Sequence, residues 1–357
     1  MITSLSINNF RGIKTGKIEG FADINIIIGA NGAGKSTILE AIYAASAWAE
    51  SIDNIRRQNK FDVIAYRRTE RGSWNESRSF LWYSMNTGQN IEFTLSFSSG
   101  KTMNFIIPYT IRGMLASADM NKMIFLGKNQ HYVSPEGYFI DERNNVIMRG
   151  SPVEILDFFK EEIEFLRDCT LIDKMLYTRM NFIEESVWPR VFAKRLDKIV
   201  INLIREAYEP DAELISYIST GLGKHSLTVG LSQTAVRVDD LGDGARTSMA
   251  LALILSTMNH TVALIEDPEI HQHPTGLEKI LSFIIDVAQL NKIQIFITTQ
   301  SIDILRFLIM INPANCKIFT LRRRNGAIQS RQFTLDEVES LLESRIDIRR
   351  IIEELQI

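Results

Sequence analysis

The amino-acid sequence predicts an α/β fold with a mixed central sheet, an antiparallel β-subdomain and a mainly helical insertion. An apolar strand pattern at 24–28 leads through a glycine-rich segment into a helical pattern. Strand patterns at 79–83, 91–97 and 103–109 follow one another without helices, which favours antiparallel pairing. From residue 261 onward, short apolar strands alternate with helical patterns, which is typical of parallel strands covered on both faces.

The bulk composition is that of an ordinary globular protein. With 357 residues the chain exceeds the size at which one hydrophobic core stops growing, so we expect one large domain with an insertion, or two domains. It has 45% hydrophobic and 23% charged residues, and its net charge of −3 argues against a surface built wholly for nucleic acid. Two isolated cysteines, the absence of a signal-peptide pattern and the absence of a long apolar run predict a cytoplasmic protein without membrane insertion.

The first 77 residues combine a strand-rich start with a basic segment. We expect strands at 5–10 and 17–28 and a helix at 38–48. Basic and aromatic residues then cluster in 51–77, namely Arg56, Arg57, Lys60, Arg67, Arg68, Arg71, Tyr66 and Trp74. Such a stretch can contact phosphates and stack on bases, but a solvated face is the more frequent outcome and is favoured here.

The glycine-rich segment after the strand is a complete phosphate-binding loop. It reads Gly29-Ala30-Asn31-Gly32-Ala33-Gly34-Lys35-Ser36-Thr37, with the fixed positions of the G-x-x-x-x-G-K-[ST] pattern. Glycines let successive amide hydrogens converge on phosphate oxygens, and the following helix directs its positive end at the same charge. Lys35 is predicted to reach the β- and γ-phosphates, and Ser36 to supply a hydroxyl to Mg²⁺. The loop therefore predicts ATP and Mg²⁺ as cofactors, with ATP held by Asn31, Gly32, Ala33, Gly34, Lys35, Ser36 and Thr37.

A second set of candidate residues follows the apolar strand at 262–265. The acids Glu266, Asp267 and Glu269 cluster directly after it. In a parallel sheet ligands bind at the carboxyl ends of strands, so these acids would emerge beside the phosphate-binding loop if the two strands are neighbours. Glu266 would then hold Mg²⁺ and Asp267 would orient or deprotonate the attacking water. Acids after a strand also occur in ordinary turns and helix caps, but the upstream loop favours the catalytic interpretation.

A glycine-bearing turn at 241–247 opens a helical run at 249–255. Its free amides and helix dipole could form a second anion site, and on local grounds an ordinary helix N-terminus is an equally good interpretation. One chain has no use for two such sites on one nucleotide.

The remaining patterns complete the predicted organisation. Pro189 is expected to open a helix that continues to Arg205, Asn325-Gly326 predicts a two-residue hairpin, and Thr334 with Glu337 predicts a capping box. We therefore expect three parts: 1–50 as the N-terminal part of an α/β domain, 51–235 as β-subdomain and helical insertion, and 236–357 as the C-terminal part.

The order of these motifs resembles the ABC-type ATPase heads of the SMC, RecF and OLD group. The resemblance rests on the loop, the Leu-Gly-Asp-Gly helix start, the acids, the segment Ile297-Thr298-Thr299-Gln300-Ser301, the opening Asn8-Asn9-Phe10-Arg11-Gly12 and the stretch from Pro268 to Pro274. It implies a P-loop NTPase fold of ABC-ATPase type. It also implies a homodimer that sandwiches ATP, because each head completes the site of the other. A TOPRIM-like nuclease module is not expected after Gln300, because only 57 of the 357 residues follow it.

The resemblance also assigns residues. The signature residues contacted in trans would be Leu241, Gly242, Asp243, Gly244 and Arg246. Arg11 would lie near the nucleotide, Gln300 would take the catalytic switch position, and Gln130 is a candidate for the metal-sensing glutamine. His271 and His273 could form a metal pair with the acids, but a loop that positions the partner subunit is favoured.

Three departures from the family pattern predict slow hydrolysis. Asp243 stands where many relatives have serine, Asp267 is one methylene shorter than the usual glutamate, and Gln300 replaces a histidine and cannot carry charge. The leading hypothesis is an ATPase whose dimerisation serves DNA repair and maintenance or antiviral defence. The alternative is a nucleotide-gated scaffold for a separate effector such as a nuclease, and a transporter subunit is less favoured because of the long insertion.

Overall fold

The computed structural model describes residues 1–68, 74–109, 115–118, 123–126, 139–140, 146–147, 159–221, 224–349 and 351. The strands in these ranges are β1 Ile2–Phe10, β2 Ile13–Glu19, β3 Ile24–Gly29, β4 Ile91–Phe97, β5 Thr102–Ile107, β6 Leu115–Ala118, β7 Met123–Leu126, β8 Phe139–Ile140, β9 Val146–Ile147, β10 Thr170–Ile172, β11 Ala212–Gly221, β12 Lys224–Leu231, β13 Ala235–Arg237, β14 Val262–Glu266, β15 Gln294–Thr299, β16 Cys316–Arg324 and β17 Ala327–Phe333.

The α-helices in the same ranges are α1 Lys35–Ser46, α2 Lys60–Tyr66, α3 Trp74–Ser77, α4 Lys160–Arg167, α5 Lys174–Thr178, α6 Met180–Ser186, α7 Trp188–Ala193, α8 Asp197–Ala207, α9 Asp243–Thr257, α10 Pro274–Leu290, α11 Ile302–Ile311 and α12 Leu335–Glu343. Short 3₁₀ turns occur at Arg78–Leu81, Tyr83–Met85 and Val238–Asp240. In the described part of the chain, no helix combines the length and the apolar character needed to cross a membrane.

A mixed 12-stranded sheet organises the molecule, in the order β10-β14-β15-β3-β16-β17-β2-β1-β4-β5-β6-β7. The strands β10, β14, β15, β3 and β16 run parallel, whereas β1, β2 and β4 to β7 pair antiparallel. A separate antiparallel sheet contains β11, β12 and β13. The predicted mixed α/β fold with an antiparallel β-subdomain is thereby confirmed. The three-part division stays a prediction, although β4 to β7 and β10 of segment 51–235 belong to the same sheet as β3.

The alternation of side chains along β3 assigns one hydrophobic core to each face of the sheet. Ile26 and Ile28 belong to the core that also contains α9, α10 and α11, whereas Ile27 belongs to the core around α1. All three isoleucines are fully buried. This double burial explains why the three isoleucines form an uninterrupted apolar run, whereas the buried Asn25 of the same strand has hydrogen-bond partners at Ala22 and Ile295.

One expectation about strand order is corrected. The strand β14, which precedes the acids, is not a neighbour of β3, because β15 lies between them. The register still brings the strand ends together: Ile28 pairs with Thr299, and Glu266 pairs with Thr298. The acids therefore emerge at the same edge of the sheet as the phosphate-binding loop, one strand farther away than expected.

The predicted hairpin turn and the predicted capping box in the last part of the chain are both present in the structure. The hairpin between β16 and β17 turns at Asn325 and Gly326, which both have the positive φ of a type I′ turn, 50° and 78°. The capping box of α12 forms between Thr334 and Glu337.

Two other element predictions were wrong. Segment 79–83 forms 3₁₀ turns rather than a strand, and its sheet pairing is limited to a single antiparallel bridge between Trp82 and Phe10. The helix expected from Pro189 to Arg205 is broken into α7 and α8 near Arg195, whose φ is 55°.

Candidate nucleotide-binding site

The segment between β3 and α1 has the conformation of a phosphate cradle. Gly32 and Gly34 have φ values of 78° and 104°, which residues with a Cβ atom rarely adopt. The N-cap residue of α1 is Gly34, which has no side chain to cap the first turn, so the amide hydrogens of that turn are left for a ligand. Residues 30–32 are exposed and Ser36 is half-buried. A loop with exposed backbone, free amides and a helix N-terminus fits the phosphate groups of a nucleotide.

Lys35 lies at the base of this cradle. Its Nζ donates to the carbonyl oxygens of Gly29 at 2.8 Å and Ala30 at 3.3 Å, and its side chain is buried. Burial lowers the pKa of Lys35, and the carboxylates of Asp267, Glu269 and Glu266 act in the opposite direction. The ammonium carries three N–H donors, so one remains for a phosphate oxygen.

The three acids occupy the edge of the sheet beyond β14 and β15. Thr298 donates to Asp267 Oδ1 at 3.2 Å, and the backbone of Asp267 adopts a φ of 46°. Burial and the charges of Glu269 and Glu266 raise the pKa of Asp267 to about 6. A carboxylate with a raised pKa beside a phosphate cradle has the properties of a general base.

Glu269 belongs to this site although the sequence did not assign it a role. Its Oε1 accepts hydrogen bonds from the Thr299 hydroxyl at 2.6 Å and from the Gln300 amide at 3.2 Å. Its Oε2 is buried and has no hydrogen-bond partner among the residues that the structure describes. Glu269 therefore fixes the end of β15, where the predicted switch residue Gln300 stands exposed. The sequence signal that could have assigned Glu269 to the site is its position two residues after Asp267.

Glu266, the predicted metal ligand, forms an ion pair with Arg67. The Arg67 side chain is only 4% exposed and also binds Glu40 at 2.6 Å and Asp173 at 2.9 Å. The predicted Mg²⁺ ligands are the Ser36 hydroxyl and the Glu266 carboxylate, two oxygen groups that would suit an ion taking most of its remaining ligands from phosphate and water. Binding of the ion to Glu266 would compete with the Arg67 guanidinium.

Glu40 connects this network to the helix that carries the loop. It lies on α1, is fully buried and forms ion pairs with Arg11, Arg67 and Arg68. Burial alone would raise the pKa of Glu40, but the positive charges of Arg11, Arg68 and Arg67 outweigh it and lower the pKa to about 2. Arg11 also donates to the Ile64 carbonyl at 2.6 Å. The guanidinium of Arg11, expected near the nucleotide, is thus directed at α1 and α2.

These contacts correct the prediction that the basic segment at 51–77 forms a solvated face. Arg56, Lys60 and the Arg67 side chain are buried, so they form neither a solvated face nor a surface for nucleic acid. Arg56 binds Asp53 at 3.1 Å and Asp173 at 2.7 Å, and Lys60 donates to Ser46 at 2.9 Å. Arg57 and Arg68 remain exposed. Arg71 lies outside the described residues, as does Gln130.

The signature turn forms the N-terminus of α9. Gly242 precedes the helix, and a Cβ added to it would meet no atom within 4 Å. Arg246 donates to Asp243 at 2.6 Å, which pairs a half-buried guanidinium with an exposed carboxylate. Leu241 is buried beneath the turn. In the described ranges, no hydrogen bond or ion pair joins residues 241–246 to the phosphate-binding loop.

The start of α9 is packed against the loop that follows the acids. A Cβ on Gly244 would lie 2.8 Å from the His271 carbonyl oxygen. The Gln272 side chain donates to the Gly244 carbonyl at 3.0 Å and accepts from the Tyr208 hydroxyl at 2.5 Å. Gln272 therefore holds the signature turn and the acid-bearing loop together, a role that the sequence did not indicate.

The two histidines of this loop do not form a metal site. His273 Nδ1 accepts a hydrogen bond from the amide of Thr275 at the start of α10. His271 Nδ1 lies 4.0 Å from Asp243 Oδ2. Among the residues that the structure describes, no group of three or more His, Cys, Asp or Glu side chains is arranged to hold a metal ion.

A mixed sheet with a phosphate cradle, acids at the neighbouring strand ends and a separate signature helix defines the class of P-loop ATPase heads. Comparison with known families supports this class. Residues 4–198 match a family model described as an AAA domain, and residues 192–306 match one described as "AAA domain, putative AbiEii toxin, Type IV TA system". The first match covers more than half of the chain, so the chain belongs to the AAA domain family.

Individual relatives are distant. The chain is 22% identical to an "ATP/GTP phosphatase" of Helicobacter pylori, across 94% of this chain and 93% of the relative. It is also 22% identical to the DNA replication and repair protein RecF of Shewanella oneidensis, across 51% of this chain and 56% of the relative.

Solved structures support the same fold. An SMC head bound to the C-terminal winged-helix domain of ScpA has 13% identity and a TM-score of 0.59, covering 95% of this chain and 99% of that one. An SMC head from Pyrococcus furiosus with an extended coiled coil has 11% identity and a TM-score of 0.52, covering 96% and 99%. The predicted resemblance to SMC and RecF heads is confirmed, and the resemblance to OLD proteins stays a prediction.

Proposed function

We propose that this chain binds ATP with Mg²⁺, hydrolyses it slowly and dimerises through the bound nucleotide. The observation that carries this proposal is the separation of two half-sites. The phosphate-binding loop and the acids share one edge of the sheet, whereas the exposed signature turn at Gly242 has no hydrogen bond or ion pair to that loop within the described residues. A second subunit related by a two-fold axis would supply the signature turn to the loop.

The roles of the residues follow from their positions. Loop amides and Lys35 would bind the phosphates, and Ser36 with Glu266 would hold the metal, which supplies charge neutralisation at the β- and γ-phosphates. Asp267 would accept a proton from the attacking water, since its raised pKa keeps the carboxylate basic. Glu269 and Gln300 would position that water from the end of β15.

For the biological setting we propose antiviral defence or DNA repair and maintenance. One matched family description names a putative toxin of a toxin–antitoxin system, and one relative is the DNA replication and repair protein RecF. DNA is therefore a candidate partner. Nothing in the site favours a transporter subunit.

A nucleotide-gated scaffold for a separate effector is the second candidate. The ion pair between Glu266 and Arg67 supports it, because the metal ligand is neutralised before any metal arrives. The short side chain of Asp267 and the uncharged Gln300 also favour ATP retention over turnover.

Sedimentation with and without ATP and Mg²⁺ tests the proposal. We expect Lys35→Ala to abolish nucleotide binding and to stay monomeric, whereas Asp267→Asn should bind ATP and accumulate as a dimer. Parallel samples with duplex DNA would show whether DNA joins the dimer. An Asp267→Asn chain that binds ATP and remains monomeric would disprove the sandwich.

Single-turnover phosphate release separates the two candidate functions. A dimer that releases phosphate is an ATPase, and a dimer that holds ATP without release is a scaffold. The Lys35→Ala variant is the control for phosphate release without nucleotide binding, because it keeps every strand of the sheet and lacks the lysine predicted to contact the phosphates. ATP affinity retained in that variant would contradict the assignment of the loop.

A further inference from the structure

The strand β16 brings a run of three arginines, Arg322 to Arg324, to the phosphate-binding loop. It pairs with β3 in parallel, with Leu321 opposite Gly29, so the residues after Leu321 run beside the loop. The sheet order β14-β15-β3-β16 places the three acids on one side of β3 and the arginines on the other. The cradle thus has an acidic flank and a basic flank.

Side-chain alternation along β16 selects Arg323. Phe319 and Leu321 point into the core around α1, and Arg323 continues this row at the same spacing of two. Ile318 points into the opposite core, and Arg324 belongs to that opposite row. Arg323 is therefore on the face of the sheet that carries the loop helix, and Arg324 is not.

The Arg323 guanidinium lies between two glycine turns. Its Nη1 donates to the Gly12 carbonyl at 3.0 Å. Its Nη2 is 3.9 Å from the point that a Cβ on Gly32 would occupy, so it faces the middle of the phosphate-binding loop. The side chain is exposed, and in the described part of the chain no carboxylate forms an ion pair with it. A guanidinium has five N–H donors, so most of them are available to an anion.

The backbone around Arg323 is held in place. The tip of the hairpin accepts hydrogen bonds at the Gly326 carbonyl from the amide of Lys14, at 2.7 Å, and of Thr15, at 3.4 Å. The hairpin of β16 and β17 is therefore hydrogen-bonded to the start of β2. These bonds fix the backbone position of Arg323 relative to β2.

We infer that Arg323 binds the α-phosphate of the nucleotide. This inference rests on the proposed function, in which Ser36 and Glu266 hold the metal at the β- and γ-phosphates. Glu266 lies on the acidic flank, so the γ-phosphate points towards β14 and β15. The opposite end of the triphosphate then lies on the basic flank, beside Gly32 and Arg323. Guanidinium groups form strong charge-assisted hydrogen bonds with phosphate oxygens.

Equilibrium binding of fluorescent ATP and ADP analogues to the full chain tests this inference. The variant is Arg323→Ala, and the matched control is Arg324→Ala, which removes an equal charge from the adjacent exposed position on the other face. We expect Arg323→Ala to weaken the binding of ATP and of ADP by the same factor, roughly tenfold, because both nucleotides carry an α-phosphate. Arg324→Ala should change neither affinity by more than about twofold, and Arg323→Lys should restore part of the loss.

The outcomes are separable. Equal affinities for the Arg323→Ala and Arg324→Ala chains would overturn the inference and leave the proposed function intact, since Arg323 would then only bind the Gly12 carbonyl. A loss for ATP without a loss for ADP would also overturn it, because the contact would be to the γ-phosphate. Absence of ATP binding in the unmodified chain would overturn the inference together with the proposed function. Thermal unfolding of both variants should match the unmodified chain, since both side chains are exposed.

Discussion

The buried carboxylate of Glu40 permits a quantitative test of the charge network beneath the phosphate-binding loop. The perturbation is Glu40→Gln, which keeps the shape of the side chain and removes its charge. Three guanidinium groups, those of Arg11, Arg67 and Arg68, would lose their shared partner. Removing one member of a buried ion pair typically costs about 3 to 5 kcal/mol of stability, because the other charge is left uncompensated.

The pKa of Glu40 gives an independent magnitude. It changes from an ordinary value of 4.5 to about 2 in the folded chain. At about 1.4 kcal/mol per pKa unit, this difference corresponds to roughly 3 kcal/mol of folding free energy. Because the pKa is lower in the folded state, the full contribution is present above pH 4.5 and is lost as the pH falls towards 2. At pH 3 about half of it should remain.

Urea unfolding followed by circular dichroism, at pH 7, 4 and 3, measures this contribution. We expect Glu40→Gln to unfold with roughly 3 kcal/mol less free energy at pH 7, and the difference to shrink at pH 3. The control is Asp240→Asn, which breaks a solvent-screened ion pair with Arg237, whose two side chains are half-exposed; it should leave the unfolding free energy unchanged within the error of the measurement. A loss below about 1 kcal/mol for Glu40→Gln, or a difference that does not vary with pH, would refute the reasoning.

Two glycines of the signature turn give contrasting predictions. Gly242→Trp should leave thermal stability unchanged, since its φ is −55° and a Cβ there meets no atom within 4 Å, but sedimentation should show loss of the ATP-dependent dimer; an intact dimer would place the interface elsewhere. Gly244→Ala should lower the unfolding free energy by about 1 to 3 kcal/mol, because its Cβ would meet the His271 carbonyl at 2.8 Å. A normal melting temperature for Gly244→Ala would mean that the loop after the acids yields without cost.

Features that depend on residues close in sequence were predictable. The glycine-rich turn between β3 and α1, the Asn325-Gly326 turn and the capping box of α12 each need a few residues at fixed spacing, and each of these conformations was found where it was expected. The mixed sheet also followed from the strand patterns, because the periodicity of buried strands is local. The broken helix between α7 and α8 was missed, since no proline or glycine marks Arg195.

Features that depend on distant pairs were not predictable. Arg67 and Glu266 are 199 positions apart, and Arg67 sits in a run whose composition is typical of a surface. A sequence reports the charge of each residue but not the partner that allows it to be buried. The insertion of β15 between β3 and β14 was missed for the same reason, because strand order depends on the whole topology.

The hydrogen bond between Gln272 and Gly244 has a consequence for cooperativity. In the proposed dimer, the acids of one subunit serve its own nucleotide, while its signature turn serves the nucleotide of the partner. Gln272 joins the segments that carry these two groups, so a shift of the acids at one site moves the surface offered to the other. Coupling of this kind is reciprocal, and the two nucleotides would be bound and released as an interdependent pair.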